Sequence, residues 1–415
     1  MNRKATLGAE IHASVVFPEA CRAAEFRGRA CRVAFRRDLL QELERFMGTL
    51  KVGIISANWG AFAHLPGWRS VPGVEVVGIC TSRRESAEAA AKRCGIERAY
   101  WDAQQMAADP LIDVLDCGTR PNVRFAMVLA ALRNGKHVYN GIPFAADLER
   151  ARELHQAWKS SKSVAVVDAF SEWIPAHRLA KEMLDEGRLG ELFGGTCIFN
   201  MSLFNSPNPH FPYNWFSQGG QGVSAVRNLG SHALHMLVYL FGEVDELVAH
   251  DGQLLREWRF PDGSLIKPET NDFANVLLRF KSGMTLQFQV SWSATLGSGW
   301  TLEAFGSKGR FAVSAPSFPT ARDTTLHAGT LNGGKLEKIE IPQRLRGTPD
   351  VAIGIDSEIQ PAYPMALAMH SMVQAVHGRG VARPDFEQAW YVERLQEAVR
   401  RAAAEHRWVR VAEVS

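Results

Sequence analysis

The 415-residue sequence is poor in several features that would have placed it quickly. No apolar run reaches the roughly 18 residues a membrane-spanning helix needs, so a helical span is excluded. Its six cysteines include no C-x-x-C pair. Neither a zinc site nor a disulfide framework is indicated, no metal is expected, and a cytoplasmic, reducing location fits. A basic surface is also missing. Residues 1–46 hold nine Lys/Arg against six Asp/Glu, and the remaining chain balances at 38 against 38, so the net +3 lies wholly in the first stretch. The body of the protein has no charge excess to offer nucleic acid or anionic lipid. What is present, 46% apolar and 22% charged residues, is the composition of a globular protein long enough for two domains.

Residues 1–46 stand apart. They are rich in Ala and Arg and show no clear period until about Arg37. They lack a signal-peptide core, and their acidic residues argue against a transit peptide. The first strand begins just after Met47. The expectation is that Met47 is the natural start and that 1–46 is an extension, non-native or disordered; a flexible arm that aids oligomerisation is the alternative.

Beyond it, two textures follow. From 47 to 170, near-continuous apolar runs (KVGII, VEVVGICT, IDVLDCGT, KHVYN, SVAVVDAF) alternate with amphipathic helices such as Arg83–Arg93 and Asn122–Arg133. Strands buried on both faces and alternating with helices predict an α/β, doubly wound parallel sheet of the Rossmann type. Ser82 and Glu85 have the spacing of a capping box. From 171 to 415, a helix from Pro175 to about Glu186 precedes long alternating strands, with FKSGMTL as a hairpin turn. This predicts an α+β domain with a large open antiparallel sheet, closed by helices near Tyr363–His377 and Asp385–His406. An open sheet face usually needs a partner, so a homodimer or homotetramer is expected.

The stretch VGIISANWGAFAHLP (52–66) has the outline of a dinucleotide-binding turn, yet Ser56, Asn58 and Ala61 occupy the three positions where glycine is usual. Asn58 is the best non-glycine choice for a left-handed conformation. Gly60 restores some freedom. At the end of the second strand, where NAD sites place an acid for the ribose 2′-hydroxyl, the sequence offers Thr81, Ser82, Arg83 and Arg84. Arginine beside a hydroxyl suits a 2′-phosphate, so NADP is favoured over NAD.

The order of motifs is that of a known family. The first turn is followed by TSRRESAEAAAKRCGI, AADPLIDVLDCGTRPNVRFAMVLAALRNGKHVYNGIPFA, IPAHRLAKEMLDEGRLGE and GGQGVSAVRNLGSHALHMLVYLFGEV. Together they resemble the Gfo/Idh/MocA family of glucose–fructose oxidoreductase and inositol dehydrogenase, from about Lys51 to the C-terminus. The resemblance implies a Rossmann domain paired with an open-sheet domain. It also implies a nicotinamide cofactor held by Ser56, Asn58, Trp59, Gly60, Ser82, Arg83, Arg84, Thr119, Asn122 and Ile142.

The catalytic positions depart from the family pattern. The Glu-Lys-Pro that family enzymes carry after the fifth strand, often with a cis bond before the proline, is Gly141-Ile142-Pro143 here. Isoleucine can neither donate a hydrogen bond nor share a proton. The family's D-x-G-x-H is Asn228-Leu229-Gly230-Ser231-His232. His232 remains as acid/base, Asn228 can orient a hydroxyl but not accept a proton, and Tyr139 is a substitute acid. His235, three residues after His232, shares its helix face and is a second base or relay. The loop LFNSPNPHFPYNWFSQGGQG supplies His210, Tyr213 and Trp215 for stacking on a ring substrate, with Trp173 and Arg227 as further contacts. The chain thus reads as an NAD(P)-dependent oxidoreductase on a sugar, polyol or related cyclic hydroxy compound. Two alternatives stay open: a ligand-sensing or regulatory protein on the same scaffold, and NAD-assisted elimination or glycoside cleavage.

Overall fold

The apolar runs of the first half become strands whose side chains are buried from both sides. They are β1 (Leu50–Ile55), β2 (Val74–Cys80), β3 (Arg98–Tyr100), β4 (Val114–Cys117), β5 (His137–Asn140) and β6 (Ala165–Val167). The computed structural model describes residues 48–205, 214–347 and 350–415, with Thr49–Ser415 as one compact unit. The expectations for residues 1–46, His210 and Tyr213 therefore lie outside the described residues. The six strands pair in parallel in the order β3-β2-β1-β4-β5-β6. Between β1 and β4 the winding reverses, and a crevice opens at their C-terminal ends.

Local chemistry sets the helix ends. Helix α1 (Leu65–Arg69) continues a π turn, Gly60–His64. Helix α2 (Arg84–Cys94) stops at Gly95, which is left-handed at φ 60°. Its expected capping box does not form: the N-cap is Arg83, without a side-chain cap. Thr81 Oγ1 instead meets Ser86 Oγ at 2.6 Å and donates to the Arg83 carbonyl, closing the turn from the strand side. After α3 (Ala103–Ala108), helix α4 (Pro121–Arg133) begins on a proline, whose missing N–H costs nothing there. Helix α5 (Leu148–Lys159) is capped by Asp147, which accepts from Arg150 N at 2.9 Å.

A 3₁₀ turn (Phe170–Trp173) and α6 (Pro175–Asp185) lead into β7 (Leu192–Asn200). Helix α7 (Leu229–Phe241) then precedes β8 (Val244–Gly252), a small hairpin of β9 (Trp258–Arg259) and β10 (Leu265–Ile266), and β11 (Phe273–Phe280). There follow β12 (Thr285–Ser291), β13 (Gly299–Gly306), β14 (Gly309–Ala315), β15 (Thr325–Thr330) and β16 (Glu337–Lys338). Among the described residues the second sheet has nine strands, closed at its β8 edge by β17 (Val409–Arg410). The β11–β12 hairpin turns at Gly283, φ 91°, as FKSGMTL predicts. The sheet is mixed rather than purely antiparallel, because β7 runs parallel to β12. The strand that enters from the first half is inserted between two strands of a later meander.

The last helices cross the textural boundary at 170. After the short α8 (Gln343–Arg346), α9 (Ala362–Val376) sends Met365, Met369 and Met372 into the core of the first half, against Trp68, Val52 and Ile54. Helix α10 (Phe386–Glu405) starts from Asp385, which caps Gln388 N at 2.9 Å, and its Leu395 and Val399 enter the core of the second half. Phe386, at its start, stacks edge-on with Phe144 of the first half, ring centroids 4.7 Å apart. One helix thus ties the two cores together.

Candidate active site

At the crevice, the first turn is closed by its serine. Ser56 Oγ accepts from the N–H groups of Asn58 and Gly60, both at 3.3 Å. Asn58 does not use the left-handed conformation expected of it, since among the described residues only Leu296 and His406 are non-glycines with positive φ. The hydroxyl performs the bend instead. Close helix–strand packing falls on Gly60, not Ala61: a Cβ at 60 would lie 2.8 Å from Ile54 Cγ2 and 3.0 Å from Ser56 Cβ.

The π turn that starts at Gly60 ends on His64, and it delivers that imidazole beneath the sheet's C-terminal edge. His64 Nδ1 meets Asp116 Oδ1 at 2.8 Å, and its Nε2 meets Asp168 Oδ2 at 3.1 Å. Tyr139 donates to Asp168 Oδ1 at 2.7 Å, Trp59 Nε1 to Asp168 Oδ2 at 3.3 Å, and Trp68 Nε1 to Asp116 Oδ2 at 2.7 Å. All of this is buried apart from Trp59. Burial alone would strip the proton from His64, but Asp116 and Asp168 outweigh it and raise the imidazole to about 10. His64 is therefore a fixed cation between two carboxylates. The sequence reading missed this cluster. The only signal was polar residues inside apolar runs: Asp116 in VLDC and Asp168 in VVDAF. Tyr139, read as a substitute acid, is instead fully buried, and burial with the Asp168 charge pushes its phenol well above the usual range. Its hydroxyl is committed to Asp168.

The altered Gly141-Ile142-Pro143 turn keeps a cis bond between Ile142 and Pro143. Its glycine has a packing reason. Arg124 is buried and donates to the carbonyls of Thr119, Gly141 (3.0 Å) and Pro143. A Cβ at 141 would lie 2.8 Å from Arg124 Nη1, so the guanidinium fills the space a longer residue would need. Burial lowers Arg124 to about 10, which leaves it cationic at neutral pH. One charge thereby ties the loop after β4 to the cis turn after β5. Asn122, beside it, has a buried Oδ1 with no protein partner, an acceptor available to a ligand.

The tip of β2 offers one unengaged cation. Arg84 is paired with Glu88 at 2.8 Å and lies over the Trp101 ring at 5.1 Å. Arg83 and Ser82 are exposed, and Arg83 has no side-chain partner among the described residues.

From the second half, His232 comes to the same region on the first turn of α7, with Asn228 as its N-cap. The His232 ring packs edge-on against Phe170 (5.7 Å) and Phe318 (5.1 Å). Burial lowers it to about 4, so it is neutral at pH 7. His235 is deeper, 1% exposed and lowered by burial to about 3; its Nδ1 accepts from Gln388 Nε2 at 3.1 Å. Trp215 reaches across to the loop after β4, where the Arg120 guanidinium lies 5.3 Å from its ring. Two expected substrate contacts are engaged elsewhere. Arg227 pairs with Glu393 at 2.8 Å and donates to the carbonyls of Ala145 and Gly222, so it braces the segment after the cis turn. Trp173 donates to the Arg383 carbonyl at 3.2 Å, with Arg178 over its ring.

A dinucleotide fits this arrangement: a crevice at the switch point, an unpartnered Asn122 oxygen and a free Arg83 at the ribose end. Comparison with known proteins agrees. Residues 50–169 match the oxidoreductase family with an NAD-binding Rossmann fold, and residues 177–312 match the GFO/IDH/MocA C-terminal domain. D-apiose dehydrogenase of Paraburkholderia graminis is 29% identical over 66% of this chain and 68% of its own. Levoglucosan dehydrogenase of Pseudarthrobacter phenanthrenivorans is 24% identical over 89% of this chain and 100% of its own. A solved levoglucosan dehydrogenase in complex with NADH and levoglucosan superimposes with a TM-score of 0.78 at 22% identity, covering 88% of this chain and 99% of that one. With both halves matched in order, the chain belongs to the Gfo/Idh/MocA family of NAD-binding oxidoreductases.

Proposed function

We propose that the protein is a dehydrogenase that oxidises a secondary hydroxyl of a sugar, polyol or related cyclic compound. The observation that carries this reading is His232, a neutral imidazole with an unpartnered Nδ1, set at the start of α7 beside the 3₁₀ turn that follows β6. When bound, the nicotinamide takes up or returns the hydride. The chain's own residues do the rest. His232 accepts the hydroxyl proton, which a neutral imidazole can do and an imidazolium cannot. Asn228 orients that hydroxyl. The Asp116–His64–Asp168 cluster fixes the floor of the crevice through Trp59 and Tyr139. Holding substrate and cofactor in one cleft supplies the proximity term.

NADP is the preferred cofactor in this reading, with Arg83 and Ser82 as the main readers of the 2′-phosphate and Arg84, paired with Glu88, as a weaker one. A homodimer or homotetramer in the cytoplasm remains our expectation. Phe193, Leu277 and Phe305 are 51%, 40% and 46% exposed on the second sheet, an apolar area that a second copy would cover.

The test is a titration with NADPH and NADH read by energy transfer from tryptophan, followed by turnover on levoglucosan, D-apiose and myo-inositol. Micromolar binding with NADPH preferred, and reduction of the oxidised cofactor by at least one compound, is the expected result. One observation favours the sensor reading: Ser56 already occupies two N–H groups of the turn that would otherwise meet a pyrophosphate. Binding of neither cofactor would move the assignment there.

A further inference from the structure

We propose that Arg227 and Glu393 form a positioning pair that fixes His232 relative to the cofactor crevice, by clamping the segment after the cis turn to the start of α7. The proposal rests on the dehydrogenase reading above. In that reading the base and the cofactor are held by different halves of the chain. The dinucleotide lies along the C-terminal edge of the first sheet, where the cis turn follows β5, and His232 rides on the first turn of α7. Hydride and proton leave one carbon and its oxygen, so both acceptors must stand at contact distance together. A misplacement of about 1 Å can cost about 10²-fold in rate. The offset between the two segments therefore needs a physical constraint.

That constraint converges on one residue. Both backbone groups of Ala145, two positions after the cis proline, are taken by the pair. Its N–H donates to Glu393 Oε1 at 3.2 Å, and its carbonyl accepts from Arg227 Nη2 at 2.8 Å. The same Nη2 donates to Glu393 Oε2 at 2.8 Å, which closes a ring through guanidinium, carboxylate and peptide. Arg227 Nε meanwhile donates to the Gly222 carbonyl at 3.0 Å, on the loop that leads into α7. The two segments also approach at backbone distance: a Cβ at Gly222 would lie 2.4 Å from Ala146 Cα.

The clamp is coupled to His232 through a short stretch of backbone. Arg227 N–H is held by Ser224 Oγ at 3.2 Å, and the next residue, Asn228, is the N-cap whose carbonyl accepts from His232 N at 3.4 Å. Glu393 supplies the rigid frame. It is 1% exposed on α10, between Phe386 and Ala389 in one core and Leu395 and Val399 in another. Burial pushes its carboxyl up, and the Arg227 charge works against that. A guanidinium suits the task because its planar fork reaches two carbonyls and a carboxylate at once; an ammonium has the charge without the fork.

The test uses the full chain with oxidised NADP and a turning sugar. Arg227→Ala lowers kcat by about 10²-fold, the cost of misplaced reactants. Arg227→Lys, which keeps the charge and loses the fork, lowers it less. Both raise the primary isotope effect on a substrate deuterated at the oxidised carbon, while KM and cofactor Kd hold. Val392→Ala, a core truncation on the same helix, lowers the melting temperature and leaves kcat and the isotope effect unchanged. Unchanged kcat in both Arg227 variants, or an equal fall in Val392→Ala, overturns the proposal. A second readout needs no substrate. By hydrogen exchange, peptides spanning 141–147 and 222–232 exchange faster in Arg227→Ala than in wild type, and peptides from α5 keep the wild-type rate. If that variant does not fold, Arg227→Lys shows the same pattern. Unchanged exchange in either segment overturns the clamp. Faster exchange in both, with a wild type that turns over no sugar, counts against the dehydrogenase reading alone.

Discussion

His64 in the first half and His235 in the second are buried imidazoles, with His232 half-buried beside the latter, yet the first is a cation and the other two are neutral. His64 is raised to about 10, while His232 and His235 are lowered to about 4 and 3. Burial pushes all three toward the neutral form. What differs is company: two carboxylates contact His64, whereas aromatic rings and an amide contact the other two. A histidine held as a cation is thereby separated from histidines held neutral.

The largest expected effect comes from the second kind. His232→Ala should lower kcat by about 10²–10⁴-fold with cofactor Kd nearly unchanged, as for loss of a general base. Unaltered turnover would remove His232 from the chemistry. The first kind should fail in stability instead. Asp116→Asn leaves the buried His64 short of one charge partner and should cost about 3–5 kcal/mol in urea unfolding, the usual cost of breaking a buried pair. A loss below about 1 kcal/mol would mean that His64 is neutral, because a lost neutral hydrogen bond is worth about that.

The pH dependence of stability separates the two kinds by sign. His64, raised in the folded state, contributes stability that is present below about 6.5 and lost as pH rises toward 10. His232 and His235, lowered in the folded state, contribute stability that is present above about 6.5 and lost as pH falls toward 4 and 3. Denaturant midpoints against pH should therefore peak near 6.5, and His64→Gln should flatten only the alkaline side. The smallest effects lie at the tip of β2. Arg83→Ala should weaken NADPH about tenfold or more, as for one charge-assisted contact, without touching NADH. Arg84→Ala should change NADPH affinity less, since its guanidinium is already held by Glu88.

Much of the scaffold was legible. The helix from Pro175, the hairpin at Gly283 and both late helices fall within a residue or two of their sequence bounds. Period and turn chemistry are local, so a single sequence carries them. The capping box at Ser82 and the left-handed Asn58 were misread because a nearby hydroxyl, from Thr81 and Ser56 respectively, closed each turn another way. Arg227 was read as a ligand contact because its partner, Glu393, lies 166 positions away.

The sequence by itself determined the alternation of buried strands and helices, the shift of texture near 170 and the family to which the chain belongs. These follow from patterns over short windows. Only the tertiary structure decided which polar residues meet. His64, Asp116 and Asp168 are separated by 52 and 104 positions, and only the β1–β4–β5–β6 order brings their side chains within 3.1 Å. The charge on a buried imidazole depends on that meeting, because Coulomb attraction must exceed the desolvation that burial imposes. No local pattern records which of the two prevails.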